Sequence, residues 1–324
     1  MKIVRTVLGD IDPKGLGVTD CHEHLVRSGG EEVRIDKDFL LDSVEKSIEE
    51  VTRFLEAGGK TIVTMDPIGC GRNVPKMMKI AEHFEGRAHI LMTTGFHKGE
   101  FYDNRMSWLM TCDIEKVAEM LSKEVTEGLD IHSYNGPIVE RCSAKAGTVK
   151  VGTSYSVISP FEQRAIQAAA LTHLATGVPI ITHTQLGTMA LETIAEFKKH
   201  GIDAEKLIIS HVQKNPDHLY HEKVWAAGST ICYDGPDRVK YYTDETIAKL
   251  IAGGVAKGYQ KQIILSMDAG RASYQTAHAK GAANGIDYML TRFVPILKEV
   301  GISDSALEDI LIHNPARVLS FIPK

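Results

Sequence analysis

A chain of 324 residues with 43% hydrophobic and 24% charged side chains has an ordinary globular balance. It is long enough for one large α/β barrel or two smaller domains. A formal net charge of -5 without a basic block argues against nucleic acid as a partner, and no apolar run reaches transmembrane length.

The opening Met1-Lys2-Ile3-Val4-Arg5 lacks the apolar core of a signal peptide. The five cysteines (Cys21, Cys70, Cys112, Cys142, Cys232) are odd in number, scattered, and never at CxxC spacing. The expectation is a cytoplasmic protein with reduced thiols, with no disulfide framework or thiolate zinc site.

Val18-Thr19-Asp20-Cys21-His22-Glu23-His24 is a short β-like run ending in His-x-His. Residues i and i+2 share a strand face, so His22 and His24 can present two imidazoles to one metal, at about 2.0–2.1 Å. The bland alternative is two unrelated histidines near a strand end. Cys21 alternates to the other face and reads as a packing residue. Residues 39–57 predict a helix with Leu40, Val44, Ile48, Val51 and Leu55 as its stripe and Gly58-Gly59 as its stop. Lys60 to Asp66 is a β-branched strand ended by Pro67, followed by a helix over roughly 74–84. His89 to Thr94 is a strand ending at Gly95, and residues 96–112 read as an irregular aromatic loop. Asp113 can cap a helix whose apolar face holds Val117, Met120, Leu121 and Val125.

Ala146 to Gly152 is strand-like. Ser159-Pro160-Phe161-Glu162 then combines a cap, an N1 proline and a capping-box glutamate, opening a helix that stops at Gly177. Strands follow at 178–183, 207–211, 230–234 and 263–268. The helices predicted between and after them lie at roughly 188–199, from Asn215-Pro216, at 243–253, 287–299 and 304–320. Eight apolar strands, each followed by a helix, imply a parallel sheet covered on both faces. The expected fold class is α/β, a (β/α)8 TIM barrel, with residues 1–324 as a single domain. A doubly wound open sheet is the alternative, but the glycine-rich turn it would show after the first strand is replaced by Cys-His-Glu-His.

Polar residues recur at the strand ends: His22 and His24 on the first, His183 on the fifth, His211 on the sixth and Asp268 on the eighth. Lys150 lies within the fourth. In a barrel these ends converge on the face that carries active sites. Each residue alone has a structural explanation; all six in register with the strand count point to one site. Burial would favour the neutral amine of Lys150, which can add carbon dioxide to become an N6-carboxylated lysine, an anion able to bridge two metals. Lys145 is the nearby competitor but precedes the strand.

Here the chain resembles the phosphotriesterase-like family of the amidohydrolase superfamily over nearly its whole length. The motifs that carry the resemblance are Thr19-Asp20-Cys21-His22-Glu23-His24-Leu25, Gly147 to Gly152 with Ser159-Pro160-Phe161-Glu162, and Pro179-Ile180-Ile181-Thr182-His183-Thr184. Ser210-His211, Ser266-Met267-Asp268 and Asn314-Pro315-Ala316-Arg317 complete them. The resemblance implies a metal-dependent hydrolase with a binuclear centre at the C-terminal ends of the strands. His22, His24 and Asp268 would bind the buried ion, His183 and His211 the exposed one, and carboxylated Lys150 would bridge them. A metal-bridging hydroxide would attack, with Asp268 as its proton acceptor. Histidine and carboxylate ligands suit Zn2+, and Mn2+, Co2+ or Fe2+ also fit. A homodimer is a family-level expectation.

Substrate is less fixed than reaction type. Lys214, Lys240 and Arg271 follow strands six, seven and eight, neighbours in a barrel, and form a candidate clamp for a substrate phosphate. Lys98 and Tyr102, beyond strand three, are further pocket candidates. The reading is a lactonase (a carboxylic ester hydrolase) acting on a small phosphorylated sugar lactone such as a pentono-lactone phosphate. The alternatives are an organophosphate triesterase or acyl-homoserine lactonase of the same family, and a non-catalytic barrel that only binds.

Overall fold

Eight short parallel strands, paired in chain order, make the centre of the molecule. They are β1 (Thr19–Glu23), β2 (Thr61–Thr64), β3 (His89–Gly95), β4 (Ala146–Thr153), β5 (Ile180–Thr184), β6 (Leu207–Ser210), β7 (Thr230–Tyr233) and β8 (Ile263–Leu265). The computed structural model describes residues 1–102 and 107–324; residues 103–106 of the expected irregular loop lie outside that description. Seven neighbouring pairs form parallel ladders, with register shifts in β1–β2 and β3–β4. The eighth contact, between β8 and β1, closes the ring differently. The backbone N–H of Asp268 donates to the His22 carbonyl at 3.1 Å, and that of His22 donates to Ser266 Oγ at 2.9 Å. The Ser266 hydroxyl also donates to Asp20. The result is the (β/α)8 barrel expected from the strand count.

Two apolar clusters follow from this closure. One takes Cys21, Val63, Leu91, Ile181, Ile208, Cys232 and Ile264 from seven strands, with Val4, Leu16 and Leu319, and fills the barrel's inside. β4 contributes Lys150, which is 1% exposed. Cys21 therefore packs inward. The simple alternation expected around it fails because the β1–β2 register shifts between Asp20 and Glu23. The other, larger cluster lies between the strands and the helices, where Val149, Ile180 and Ile209 meet Phe161, Phe197 and Val224. An N-terminal hairpin (Val4–Thr6 with Gly9–Ile11) precedes the barrel.

The helices sit close to their sequence positions, with instructive exceptions. After a short helix at Glu31–Ile35, α1 (Val44–Glu56) starts behind a Ser43 cap rather than at residue 39. It buries Ser47, Glu50, Val51 and Phe54, while Leu40 is exposed. Glu50 faces inward because the backbone N–H groups of Ala277 and Ile286 donate to it. Next come α2 (Val74–His83) and α3 (Ile114–Thr126); Asp113 stands at the α3 cap position but makes no capping hydrogen bond. Helix α4 (Pro160–Thr176) opens with the full capping box and ends at left-handed Gly177, φ 82°. Helices α5 (Ala190–Lys199), α6 (His218–Ala226) and α7 (Asp244–Ala256) follow. Asp217, not Asn215, caps α6. The C-terminal helices each contain a π turn, at Met289–Phe293 and Asp309–His313. No helix among the described residues is long and apolar enough to cross a membrane.

Candidate metal centre and substrate pocket

The strands stop at one face, and two of them stop sharply. His211 and Asp268 both take left-handed backbone angles, φ 69° and 49°, as their chains leave β6 and β8. Non-glycine residues reach that region at a cost, so it marks places where the fold holds a side chain in a set direction. Both side chains enter a cavity of about 310 Å³ that His22, His24 and His183 also line.

Within it, ligand atoms of His22, His24 and Asp268 lie within 4.8 Å of one another, as do those of His22, His211 and Asp234. The His211 ring is 4.5 Å from that of His183 and 4.9 Å from that of His22. Lys150 stands in the barrel below, its Nζ donating to the Met65 carbonyl at 2.6 Å. Five of the six residues expected at the metal centre therefore line one cavity, while the sixth, Lys150, is buried in the barrel and does not line it.

Oxygen partners orient all four histidines, three of them through Nδ1. Nδ1 of His22 meets Ser210 Oγ at 2.8 Å, Nδ1 of His24 meets Asp66 at 2.8 Å, and Nδ1 of His211 meets Asp234 at 2.7 Å. Each contact leaves Nε2 as the outward nitrogen, the arrangement by which second partners aim metal-binding imidazoles. His183 differs: its Nε2 meets Gln185 Oε1 at 2.9 Å, which leaves Nδ1. Asp66 and Asp234 were not singled out in the sequence, although each ends a strand run as Asp268 does. Arg27, equally unforeseen, is buried and grips Asp66 at 2.7 Å, Glu32 at 3.3 Å and the Gly270 carbonyl at 2.9 Å.

The charges suit cations. Burial, then Lys150 and neighbouring imidazoles, pushes His22 well below the ordinary histidine range; burial and His211 do the same for His183, so both are neutral donors of a lone pair. Burial opposes the Asp66 carboxylate, but Arg27 and His24 outweigh it and hold its pKa near about 2. Burial likewise opposes Asp268, and His211, His24, Lys214 and His22 override it, keeping it ionised. Burial lowers Lys150 to about 8. Among the described residues His22 Nε2 is buried with no hydrogen-bond partner, an orphan atom costly to keep unless something binds it. The donor set therefore fits divalent metal ions.

The candidate clamp is partly regrouped. Lys240 donates to Tyr274 Oη at 2.7 Å and sits 5.1 Å from the Tyr241 ring. Lys214 sits on the same Tyr241 ring at 5.2 Å but is also 3.6 Å from Asp268, closer to the metal cluster than a remote clamp would be. Arg271 is paired with Asp36, lies 3.5 Å from Asp38 and stacks 4.0 Å from Phe39. Buried Arg238, not foreseen, stacks 3.7 Å from Tyr274. Lys98 does line the cavity, where it bonds Glu100 at 2.7 Å and Gln185 at 3.1 Å. Tyr102 does not: its hydroxyl donates to the Ile68 carbonyl at 2.7 Å and accepts from the His97 backbone N–H at 2.9 Å.

The model of the Phosphotriesterase family matches residues 2–319. The chain belongs to the phosphotriesterase family. It is an enzyme, a hydrolase of that family. It is 49% identical, over 99% of its length and 92% of the relative's, to a protein of Mycoplasmopsis agalactiae named phospho-furanose lactonase. Among solved structures it is similar to an amidohydrolase from Mycoplasma synoviae, with TM-score 0.97 and 48% identity, covering 99% of this chain and 92% of that one. A lactonase from Listeria monocytogenes follows at TM-score 0.90 and 32% identity, covering 99% of both chains. Both solved structures share the fold with this chain over 99% of its length.

Proposed function

We propose that this phosphotriesterase-family hydrolase opens the ring of a small phosphorylated sugar lactone, such as a pentono-lactone phosphate. The observation that carries the reading is that one cavity holds both the histidine–aspartate cluster and the cations Lys214, Arg238, Lys240 and Arg271. An acyl-chain lactone or an oily triester gives such cations nothing to bind, whereas a phosphate monoester takes charge-assisted hydrogen bonds from them. The Mycoplasmopsis agalactiae relative is named for a substrate of this class.

His22, His24 and Asp268 would hold one divalent ion and His183 and His211 a second, with N6-carboxylated Lys150 between them and zinc as the first choice of metal. Such ions supply Lewis acidity, polarising the ester carbonyl and making water at the site a stronger acid. The chain's own residues do the rest. Water oxygen bonds to the carbonyl carbon and the ring C–O bond breaks. Asp268 takes the water proton on its carboxylate. Lys214, 3.6 Å from that carboxylate, balances its charge. The proton passes to the departing ring oxygen, leaving a hydroxy acid. Lys240 and Arg271 orient the phosphate, and Arg271 exchanges its aspartate partners for it.

A panel of sugar lactones, each with and without its terminal phosphate, tests the reading on zinc- or manganese-loaded protein. Turnover confined to the phosphorylated members is expected. Lys240→Ala and Arg271→Ala should each raise KM for them by about 10- to 100-fold, the worth of a charge-assisted hydrogen bond. Equal turnover of unphosphorylated or acyl-chain lactones would overturn the phosphate clamp.

A further inference from the structure

One polar side chain in the cavity has no task in the reading above. His97 stands two residues beyond β3, is 8% exposed, and lines the cavity with its ring 4.5 Å from that of His183 and edge-on to Phe101 at 4.8 Å. Its place beside the histidines invites the thought of a further metal ligand, but the hydrogen bonding excludes it. The backbone N–H of Lys98 donates to His97 Nδ1 at 2.7 Å. Nδ1 therefore carries the lone pair, and in a neutral imidazole the ring proton must then sit on Nε2. An Nε2 bearing a proton has no lone pair for a metal. Among the described residues that N–H has no hydrogen-bond partner, and it is not among the fully buried orphan atoms, so it faces the cavity.

We propose that the Nε2–H of His97 is a hydrogen-bond donor to the substrate oxygen that takes on negative charge, which for a lactone is the carbonyl oxygen. The inference rests on the proposed hydrolysis for the identity of that oxygen. Water addition puts charge on the oxygen beside His183, and a donor already fixed by its own backbone meets that charge without rearranging. The Lys98 N–H holds the ring in one tautomer, so the same residue cannot alternate between donor and base. Lys98 thus contributes twice: its backbone sets the His97 tautomer, and its ammonium faces the same cavity.

The test compares H97Q and H97L in metal-loaded protein. Gln places an amide N–H near the position of Nε2, whereas Leu fills space without a donor. Three quantities are read: kcat, KM, and metal per chain by elemental analysis with the visible spectrum of the cobalt form. H97L should lower kcat by about 100- to 1,000-fold, as removal of one oxyanion donor does, with KM within about threefold. It should leave metal content and the cobalt spectrum as in wild type, and H97Q should recover at least about tenfold of the loss. Loss of metal in either variant would show a ligand and overturn the proposal. Unchanged kcat in H97L would show a wall residue and overturn it equally. Should H97L fail to fold, H97F replaces it under the same outcomes. The ratio is taken on whichever lactone, ester or phosphotriester wild type turns over fastest. A wild type confined to phosphotriesters would overturn the lactone reading while the His97 ratio is still read at the phosphoryl oxygen.

Discussion

Lys150 is the residue whose chemistry depends most on its burial. A lysine in water is almost wholly protonated at neutral pH; this one, 1% exposed, is lowered to about 8. The sign follows directly: the neutral amine, the form that can add carbon dioxide, becomes abundant as pH rises through about 8 instead of through 10.5. In metal-free protein supplied with bicarbonate and zinc, the rate of metal uptake should climb steeply between about pH 7 and 8.5 and level off above it. Lys150→Ala should take up fewer than two ions at any pH. A flat uptake profile would count against carboxylation. At this scale the sequence was most legible where a residue type contradicts its surroundings, as four histidines, a lysine and an aspartate do on apolar strands. Asp66 and Asp234 escaped because an aspartate closing a strand also reads as a loop residue or cap. Only the fold reveals that each meets an imidazole, at 2.8 and 2.7 Å. His97 escaped because its neighbour's backbone, not a side-chain pattern, defines its role.

At the scale of elements, helices are tied to strand ends by polar groups that hydrophobic periodicity does not register. Glu124 on α3 receives Arg72 through two hydrogen bonds, at 2.7 and 2.8 Å, and both side chains are essentially inaccessible. Arg72 also reaches the Thr93 carbonyl on β3. Removing one partner of such a pair leaves a buried charge alone, so Glu124→Leu should destabilise by about 3–5 kcal/mol in urea unfolding. The double variant Arg72→Met/Glu124→Leu should recover much of that loss; full additivity would show that the pair is not coupled. The capping-box glutamate does similar work at α4. Beyond its box with Ser159, Glu162 accepts from Ser154 and from the Gly99 backbone N–H at 3.0 Å, fixing the loop next to Lys98. The box itself was plain in Ser-Pro-Phe-Glu; the long-range bond was not. Likewise α1 was legible as a helix and in the core contacts of Val44, Ile48, Val51 and Leu55, but not in its polar members: Ser47 and Glu50 point inward to polar partners, and Leu40 belongs to the preceding turn.

For the whole molecule, strand number and order were legible because both barrel faces are buried and every strand reads as a short apolar run. The closing seam was not, since it is made of Asp20, Ser266 and backbone groups rather than a ladder. Asp20 is fully buried there, and burial, only partly offset by its bonds from Ser266, His22 and Met267, raises it from 3.8 to about 7. The folded protein thus binds that proton more tightly than the unfolded chain does, and this group's contribution to stability falls as pH rises from about 4 to about 7. Buried neutral histidines such as His22 and His183 act in the opposite sense, so the readout is a difference: between pH 5 and 7.5 metal-free wild type should lose stability to urea relative to Asp20→Asn. An equal slope in both would remove Asp20 as the cause.

The seam also fixes a timetable. His22 and His24 leave the ribosome early, yet the backbone bond from His22 to Ser266 spans 244 positions and that from Ala269 to Glu23 spans 246. The first proposed ligands made must wait for the last strand. A nascent or prematurely ended chain lacking β8 therefore carries five of the six proposed ligands and no closed ring, so on this reading the hydrolase cannot begin work before its synthesis is almost over.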